Sequence, residues 1–233
     1  MSSVVQNLQS VRERIARICA VSARDPSEVQ LLAVSKTKPA TLVQEAIAVG
    51  QRDFGENYVQ DAMDKVLLFP DVHWHFIGHI QSNKTRWIAN HFDWVHSLDS
   101  LKIARRLNAQ RQREAPLNVL LQINVSNDPA KAGLAVDEAG ALLEGLSDME
   151  RLLPRGLMTI TEETNDTVTQ RKYFRRLAQL LNELNAQYKL NHFDQLSMGM
   201  TGDLESAIAE GATWVRIGTA IFGARKPVIN TQD

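Results

Sequence analysis

Apolar side chains recur along this chain with two periods, and the alternation between them lays out its architecture. Val4, Leu8, Val11, Ile15 and Ile18 come at steps of four and three, with Arg12, Glu13 and Arg14 between them, which predicts an amphipathic opening helix within 1–20. Arg24-Asp25-Pro26-Ser27 breaks it. A short apolar run over 31–34 then predicts a strand buried on both faces, ending in Ser35-Lys36-Thr37-Lys38-Pro39. From there strand-length and helix-length patterns take turns. Further strands are predicted over 52–55, 74–78, 93–98, 117–125, 157–160, 193–198 and 214–218. Helices are predicted over 39–49, from 56 toward Phe69, over 80–90, along Leu101, Ile103, Ala104 and Leu107, over 137–149, along Phe174, Leu177, Leu181, Leu184 and Tyr188, and over 203–210. Ile221-Phe222-Gly223 forms a terminal segment, and 226–233 reads as a frayed tail.

Strands that alternate with helices at this spacing pair in parallel through right-handed crossovers. Eightfold alternation over 233 residues predicts an α/β fold of the closed (β/α)8 TIM barrel type with an extra helix in front. An open doubly wound sheet is the alternative, but it calls for a Gly-rich fingerprint after its first strand, and Ser35-Lys36-Thr37-Lys38-Pro39 is unlike one. No long linker or low-complexity stretch interrupts the pattern, so one domain is expected over 1–233.

Charge and cysteine usage remove several classes of partner. Lys plus Arg number 26 against 27 Asp plus Glu, so no bulk field draws the chain to nucleic acid or an anionic membrane. Cys19 is the only cysteine, which excludes an intramolecular disulfide and fits a reducing compartment. The start lacks a signal-peptide pattern and no apolar run is long enough to span a bilayer, so the expected location is cytoplasmic.

A barrel brings the carboxyl ends of its strands to one mouth, where Lys36, Asn57, His75, Met158, Ser197 and Arg216 are expected to meet. Partial desolvation at the end of an apolar strand favours a neutral, nucleophilic Lys36 amine, although the strand alone also suits a lysine that snorkels to water. Two later segments change the picture. Ser197-Met198-Gly199-Met200-Thr201-Gly202-Asp203 and Arg216-Ile217-Gly218-Thr219-Ala220 each follow a strand with Gly and hydroxyl residues, the makings of a phosphate cradle after strands seven and eight. A lysine on strand one, a cradle on the last two and an arginine that needs a partner at the mouth together suit pyridoxal phosphate. Its aldehyde would meet Lys36, its phosphate the cradle and its ring nitrogen Arg216, which is a poor proton donor.

The segments Leu32-Ala33-Val34-Ser35-Lys36-Thr37-Lys38-Pro39, Phe54-Gly55-Glu56-Asn57-Tyr58, Trp74-His75-Phe76-Ile77-Gly78-His79-Ile80-Gln81-Ser82-Asn83-Lys84, Leu196-Ser197-Met198-Gly199-Met200 and Val215-Arg216-Ile217-Gly218-Thr219-Ala220-Ile221-Phe222-Gly223 resemble, in order, the blocks of the pyridoxal phosphate homeostasis protein family. The resemblance runs from the first helix almost to the end. It implies a barrel like the amino-terminal domain of alanine racemase, with pyridoxal 5'-phosphate held as a Schiff base on Lys36. It also implies His75 at the mouth and phosphate contacts from Ser197, Met200 and Thr201 and from Gly218 and Thr219. Thr201 replaces the serine expected in many relatives, and Thr161 the proline expected after Met158-Thr159-Ile160.

Two functions compete. One is a monomeric carrier that sequesters pyridoxal phosphate and related B6 vitamers and passes them to apoenzymes, without turnover and hence without catalytic residues. The other is a small pyridoxal-phosphate-dependent amino-acid racemase or lyase. Racemisation takes acid–base groups on both faces of the substrate. In racemases of this barrel type the second is a tyrosine from an additional domain, for which the sequence leaves no room, and Tyr58 is a poor substitute. His73, His75 and His79 have metal-like spacing, but the preferred reading has no metal. Lys102, Arg105, Arg106, Arg111 and Arg113 are read as a solvated basic face, Lys38 and Lys84 as surface lysines near the mouth, and the polar loop 126–133 as a flap.

Overall fold

The computed structural model describes residues 3–224, so the tail expected to fray lies outside the described residues. Helix α1 (Ser3–Val21) buries Val4, Leu8, Val11, Ile15 and Ile18, the predicted stripe, together with Cys19. Eight units then follow: β1 (Gln30–Val34), α2 (Ala40–Ala48), β2 (Asp53–Glu56), α3 (Val59–Leu68), β3 (His73–Phe76), α4 (Thr85–His91), β4 (Trp94–Leu98), α5 (Leu101–Gln110), β5 (Leu117–Gln122), α6 (Ala139–Gly145), β6 (Leu152–Met158), α7 (Thr167–Tyr188), β7 (Gln195–Ser197), α8 (Leu204–Ala209), β8 (Trp214–Ile217) and α9 (Thr219–Phe222). All strand pairs are parallel, and β8 pairs with β1 to close the barrel. Among the described residues no helix is long and apolar enough to cross a membrane.

Strands β5 and β7 are shorter than expected, ending at Gln122 and spanning Gln195–Ser197, and β6 differs most. β6 begins at Leu152 instead of at 157, through Pro154-Arg155-Gly156, where the pattern reads as a loop. The register against β5 shifts between Val119 and Leu120 to absorb the proline. Gly156 has φ +151, and a Cβ there would lie 1.9 Å from the Gln195 carbonyl oxygen, so this close approach of β6 to β7 is open only to glycine. Helices α4 and α6 are also shorter than predicted, since Ser82–Lys84 and Val136–Glu138 form single 3-10 turns ahead of them.

The large apolar core lies between strands and helices, while the barrel interior holds a small apolar cluster of Leu32, Val34, Ile77 and Trp214 with Trp94 beside it. Polar side chains share that interior, since His75, His96, Ser197 and Arg216 are all buried there. A barrel of this kind is ordinarily filled with branched apolar side chains. This one adds a hydrogen-bonded chain of buried polar groups.

Candidate functional site

The first strand delivers Lys36 to the rim and is anchored from outside the barrel. Ser35 donates from N to the Gly55 carbonyl at 3.0 Å and from Oγ to Glu56 Oε1 at 2.6 Å. Lys65 of α3 donates to that same carboxylate oxygen and to the Ser35 carbonyl, and all three residues are buried. Burial pushes the Glu56 carboxyl above its ordinary range, and the Lys65 ammonium opposes the shift. With Leu32 and Val34 facing the interior, strand alternation carries half-buried Lys36 onto that inner face. Thr37 then turns the chain at φ +61. Lys38, expected as a surface lysine, donates from Nζ to the Gly223 and Ala224 carbonyls at 2.8 and 2.7 Å. It thereby ties the loop after β1 to the end of α9.

The two cradle segments adjoin each other. Gly199 sits at φ +93, where a Cβ would meet Ala207 Cβ at 2.5 Å, and its carbonyl accepts from the Arg216 backbone N at 3.0 Å. Asp203 closes the turn by accepting from Met200 N at 2.6 Å. Burial raises the Asp203 carboxyl pKa, with the Met200 bond and the Arg216 charge acting the other way. Met200, Thr201 and Thr219 are exposed, and Gly218 lies against the Val34 carbonyl, next to the Lys36 loop. Met158 ends β6 fully buried, paired with Gln122 and Ser197. Asn57 follows β2, and its Oδ1 is a buried acceptor with no donor among the described residues. It borders a cavity of about 260 Å³ with Tyr58, Gly78, His79, Gln81 and Lys84.

His75 is the penultimate residue of β3 and Ser197 the last of β7, and both are fully buried. His75 stacks on Trp94 at 5.6 Å and leans on Trp214 at 4.9 Å. Ser197 Oγ accepts from Arg216 Nη1 at 2.9 Å and lies 2.8 Å from His96 Nδ1. Its side chain therefore supports Arg216. Arg216 Nη2 donates to the Thr159 carbonyl at 2.8 Å. Burial lowers the Arg216 pKa to about 10, which leaves it cationic at neutral pH.

Asp53, Glu56, Lys65 and His96 were not anticipated at all. The only signal for the first and last was a polar residue at the inward step of an otherwise apolar strand, as in Trp94-Val95-His96. Among the described residues no group of three or more His, Cys, Asp or Glu is placed to hold a metal. His73 and His75 both reach Asp53, while His79 is exposed beside the mouth cavity. Arg111, expected on a solvated face, is buried and caps α4 by donating from Nη1 to the Ala89 and Phe92 carbonyls. The loop after β5 is pinned, since Leu134 N bonds the Gln122 carbonyl and Asn124 N the Leu134 carbonyl, each at 2.9 Å.

A family model described as "Alanine racemase, N-terminal domain" matches residues 6–226. A relative from Pseudomonas aeruginosa named pyridoxal phosphate homeostasis protein is 54% identical over 228 residues, spanning 97% of each chain. One of the same name from Escherichia coli K12 is 48% identical over 231 residues, spanning 97% of this chain and 98% of its own. The solved structure of PipY from Synechococcus elongatus with PLP bound superposes with a TM-score of 0.80 at 39% identity, covering 90% of this chain and all of that one.

Proposed function

This chain belongs to the alanine racemase N-terminal domain family, and on that premise we propose that it binds pyridoxal 5'-phosphate on Lys36 and serves intracellular pyridoxal phosphate homeostasis as a carrier. The observation that carries this reading is the convergence of the Lys36 loop, the Gly199–Asp203 turn and the Gly218–Thr219 segment on one rim, tied by Lys38 to Gly223 and by Arg216 N to Gly199. The residues fit the group. The Asn57 Oδ1 acceptor lacks a donor, and the tight Gly199 and Gly218 backbones and the Thr201 and Thr219 hydroxyls line one side. When bound, pyridoxal phosphate supplies an aldehyde that condenses with an amine. Lys36 provides the amine, the two turns orient the phosphate, and Arg216 faces the ring nitrogen as a donor that keeps its proton.

The same groups support retention without turnover. Tyr173 and Tyr188 bond Glu162 and Glu144 on the outer surface, so neither stands across from Lys36 as a second acid–base group. An arginine at the ring nitrogen leaves the ring a poor electron sink. The protein acts as a cytoplasmic monomer, holding a reactive aldehyde and releasing it, with related B6 vitamers, to apoenzymes that use it. Titration with pyridoxal phosphate tests this. A visible absorbance band should form, borohydride should fix the adduct to the Lys36 peptide, and Lys36→Ala should lack both. Steady α-proton exchange of amino acids in heavy water, faster than with free cofactor, would replace the carrier reading with a racemase or lyase.

A further inference from the structure

We propose that Asp53, His75 and His96 are positioning residues for Arg216, forming with Ser197 a hydrogen-bond relay that runs in one direction from the guanidinium to a carboxylate at the opposite rim. The relay has four links. Arg216 Nη1 lies 2.9 Å from Ser197 Oγ, Ser197 Oγ 2.8 Å from His96 Nδ1, His96 Nε2 2.9 Å from His75 Nδ1, and His75 Nε2 3.1 Å from Asp53 Oδ1. The side chains come from β8, β7, β4, β3 and β2, so the chain crosses the barrel interior.

Its two ends dictate its direction. A guanidinium only donates and an ionised carboxylate only accepts. Ser197 therefore accepts from Arg216 and gives its own hydrogen to His96 Nδ1. His96 then carries its proton on Nε2 and donates to His75 Nδ1, and His75 carries its proton on Nε2 and donates to Asp53. Every link is satisfied with both rings neutral. Reversing the link between the rings turns a lone pair of His75 toward the Asp53 carboxylate.

The surroundings favour this state. Burial first, then His75 and last the Arg216 charge, keeps the His96 pKa well below the ordinary histidine value. Burial also lowers His75, against the pull of Asp53 and Asp93 and with a small push from His73. Burial raises the Asp53 carboxyl, but the bonds from His75 and His73 and the electrostatic pull of the two rings outweigh it and hold it below the ordinary carboxylate range. Asp203 faces Arg216 from the cradle side, and Arg155 lies over Trp94 at 5.3 Å. Among the described residues Arg216 bonds no carboxylate with its guanidinium, only Ser197 and the Thr159 carbonyl. What keeps the Ser197 lone pair aimed at Arg216 is the relay behind it.

This deepens the function proposed above and rests on it for the ligand, so the test has two arms. In the cofactor-free full-length protein, long-range proton–nitrogen correlation of the imidazoles at neutral pH should show His75 and His96 neutral and protonated on Nε2. In Asp53→Asn the end group both donates and accepts, so the Nδ1-protonated form should appear at both rings. A cationic or Nδ1-protonated ring in the parent, or an unchanged Asp53→Asn spectrum, overturns the relay. In the second arm, pyridoxal phosphate is titrated by absorbance into the parent, Asp53→Asn and His96→Phe. Both variants should bind about 3- to 10-fold more weakly, as for a weakened hydrogen bond to a charged donor, and should shift the pH midpoint of the visible band. Thr201→Ala should weaken binding without moving that midpoint. Should His96→Phe not fold, the rim variant Asp53→Asn decides alone. Altered tautomers with an unmoved midpoint overturn the positioning role, whereas a parent that takes up no pyridoxal phosphate overturns the proposed function and leaves the first arm standing.

Discussion

Lys65 reaches over from α3 to the buried carboxylate of Glu56, and that ion pair sits directly behind the residue preceding Lys36. Its partners are 3% and 0% exposed, so neither charge has water to fall back on. Removing one member strands the other. Lys65→Met is expected to cost about 3 kcal/mol in denaturant unfolding at neutral pH. The loss should shrink as pH falls, because the Glu56 carboxyl, already pushed up by burial, is the one that takes a proton. A pH-independent loss would mean that packing of the lysine stem, and not the charge, is what α3 contributes.

Acid should destabilise the protein from the ordinary histidine range downward. His75 and His96 have folded pKa values below 6.5, so between that value and their folded pKa the unfolded chain binds more protons and stability falls with pH. Each adds at most about 1.4 kcal/mol per pH unit. Glu56, Asp99 and Asp203 act in the opposite sense, since their folded carboxyls are raised and gain stability as pH falls toward the unfolded carboxylate range. Thermal melts between pH 7.5 and 5.5 should therefore show a declining Tm, and the slope should be shallower in His96→Phe measured against its own Tm at pH 7.5.

At Gly156 the backbone itself forbids a side chain. Gly156→Ala places a methyl on the Gln195 carbonyl and forces φ +151 on an L residue, so it should prevent folding or cost more than about 3 kcal/mol. Gly50→Ala meets nothing within 4 Å and suffers only its φ of +82, a cost of about 1 kcal/mol. Circular dichroism of the two purified variants separates them.

The helices and the eightfold order were legible because each helix has one apolar stripe and each strand ends at Gly, Pro or a polar cluster. β6 hid its first half because Pro154, Arg155 and Gly156 are the residues that ordinarily end a strand, and only a register shift and a glycine accommodate them there. Lys36, Arg216 and the two cradle turns were readable as residues that had to lie at strand ends. The histidines were not, since a buried polar side chain on a strand has meaning only when its partners, 21 and 101 positions away for His96, are brought to it. Arg111 misled for the same reason. Its carbonyl partners at Ala89 and Phe92 lie at the carboxyl end of α4, and sequence spacing alone does not distinguish a cap from a solvated face.

The cradle should reveal itself by what it discriminates. Thr201 and Thr219 are exposed hydroxyls on adjacent turns, whereas Asn57 follows β2, on the other side of β1 from β8. A ligand phosphate held by the turns gains charge-assisted hydrogen bonds that pyridoxal without phosphate lacks. The parent should therefore prefer pyridoxal phosphate to pyridoxal, and Thr201→Ala with Thr219→Ala should reduce that preference by about 10-fold, roughly one lost charge-assisted bond. Asn57→Ala should weaken both ligands alike, because its unpartnered acceptor serves a part of the ligand that the two share. Competitive absorbance titrations of the two vitamers give the ratio directly, and an unchanged preference in the double variant would move the phosphate away from these turns.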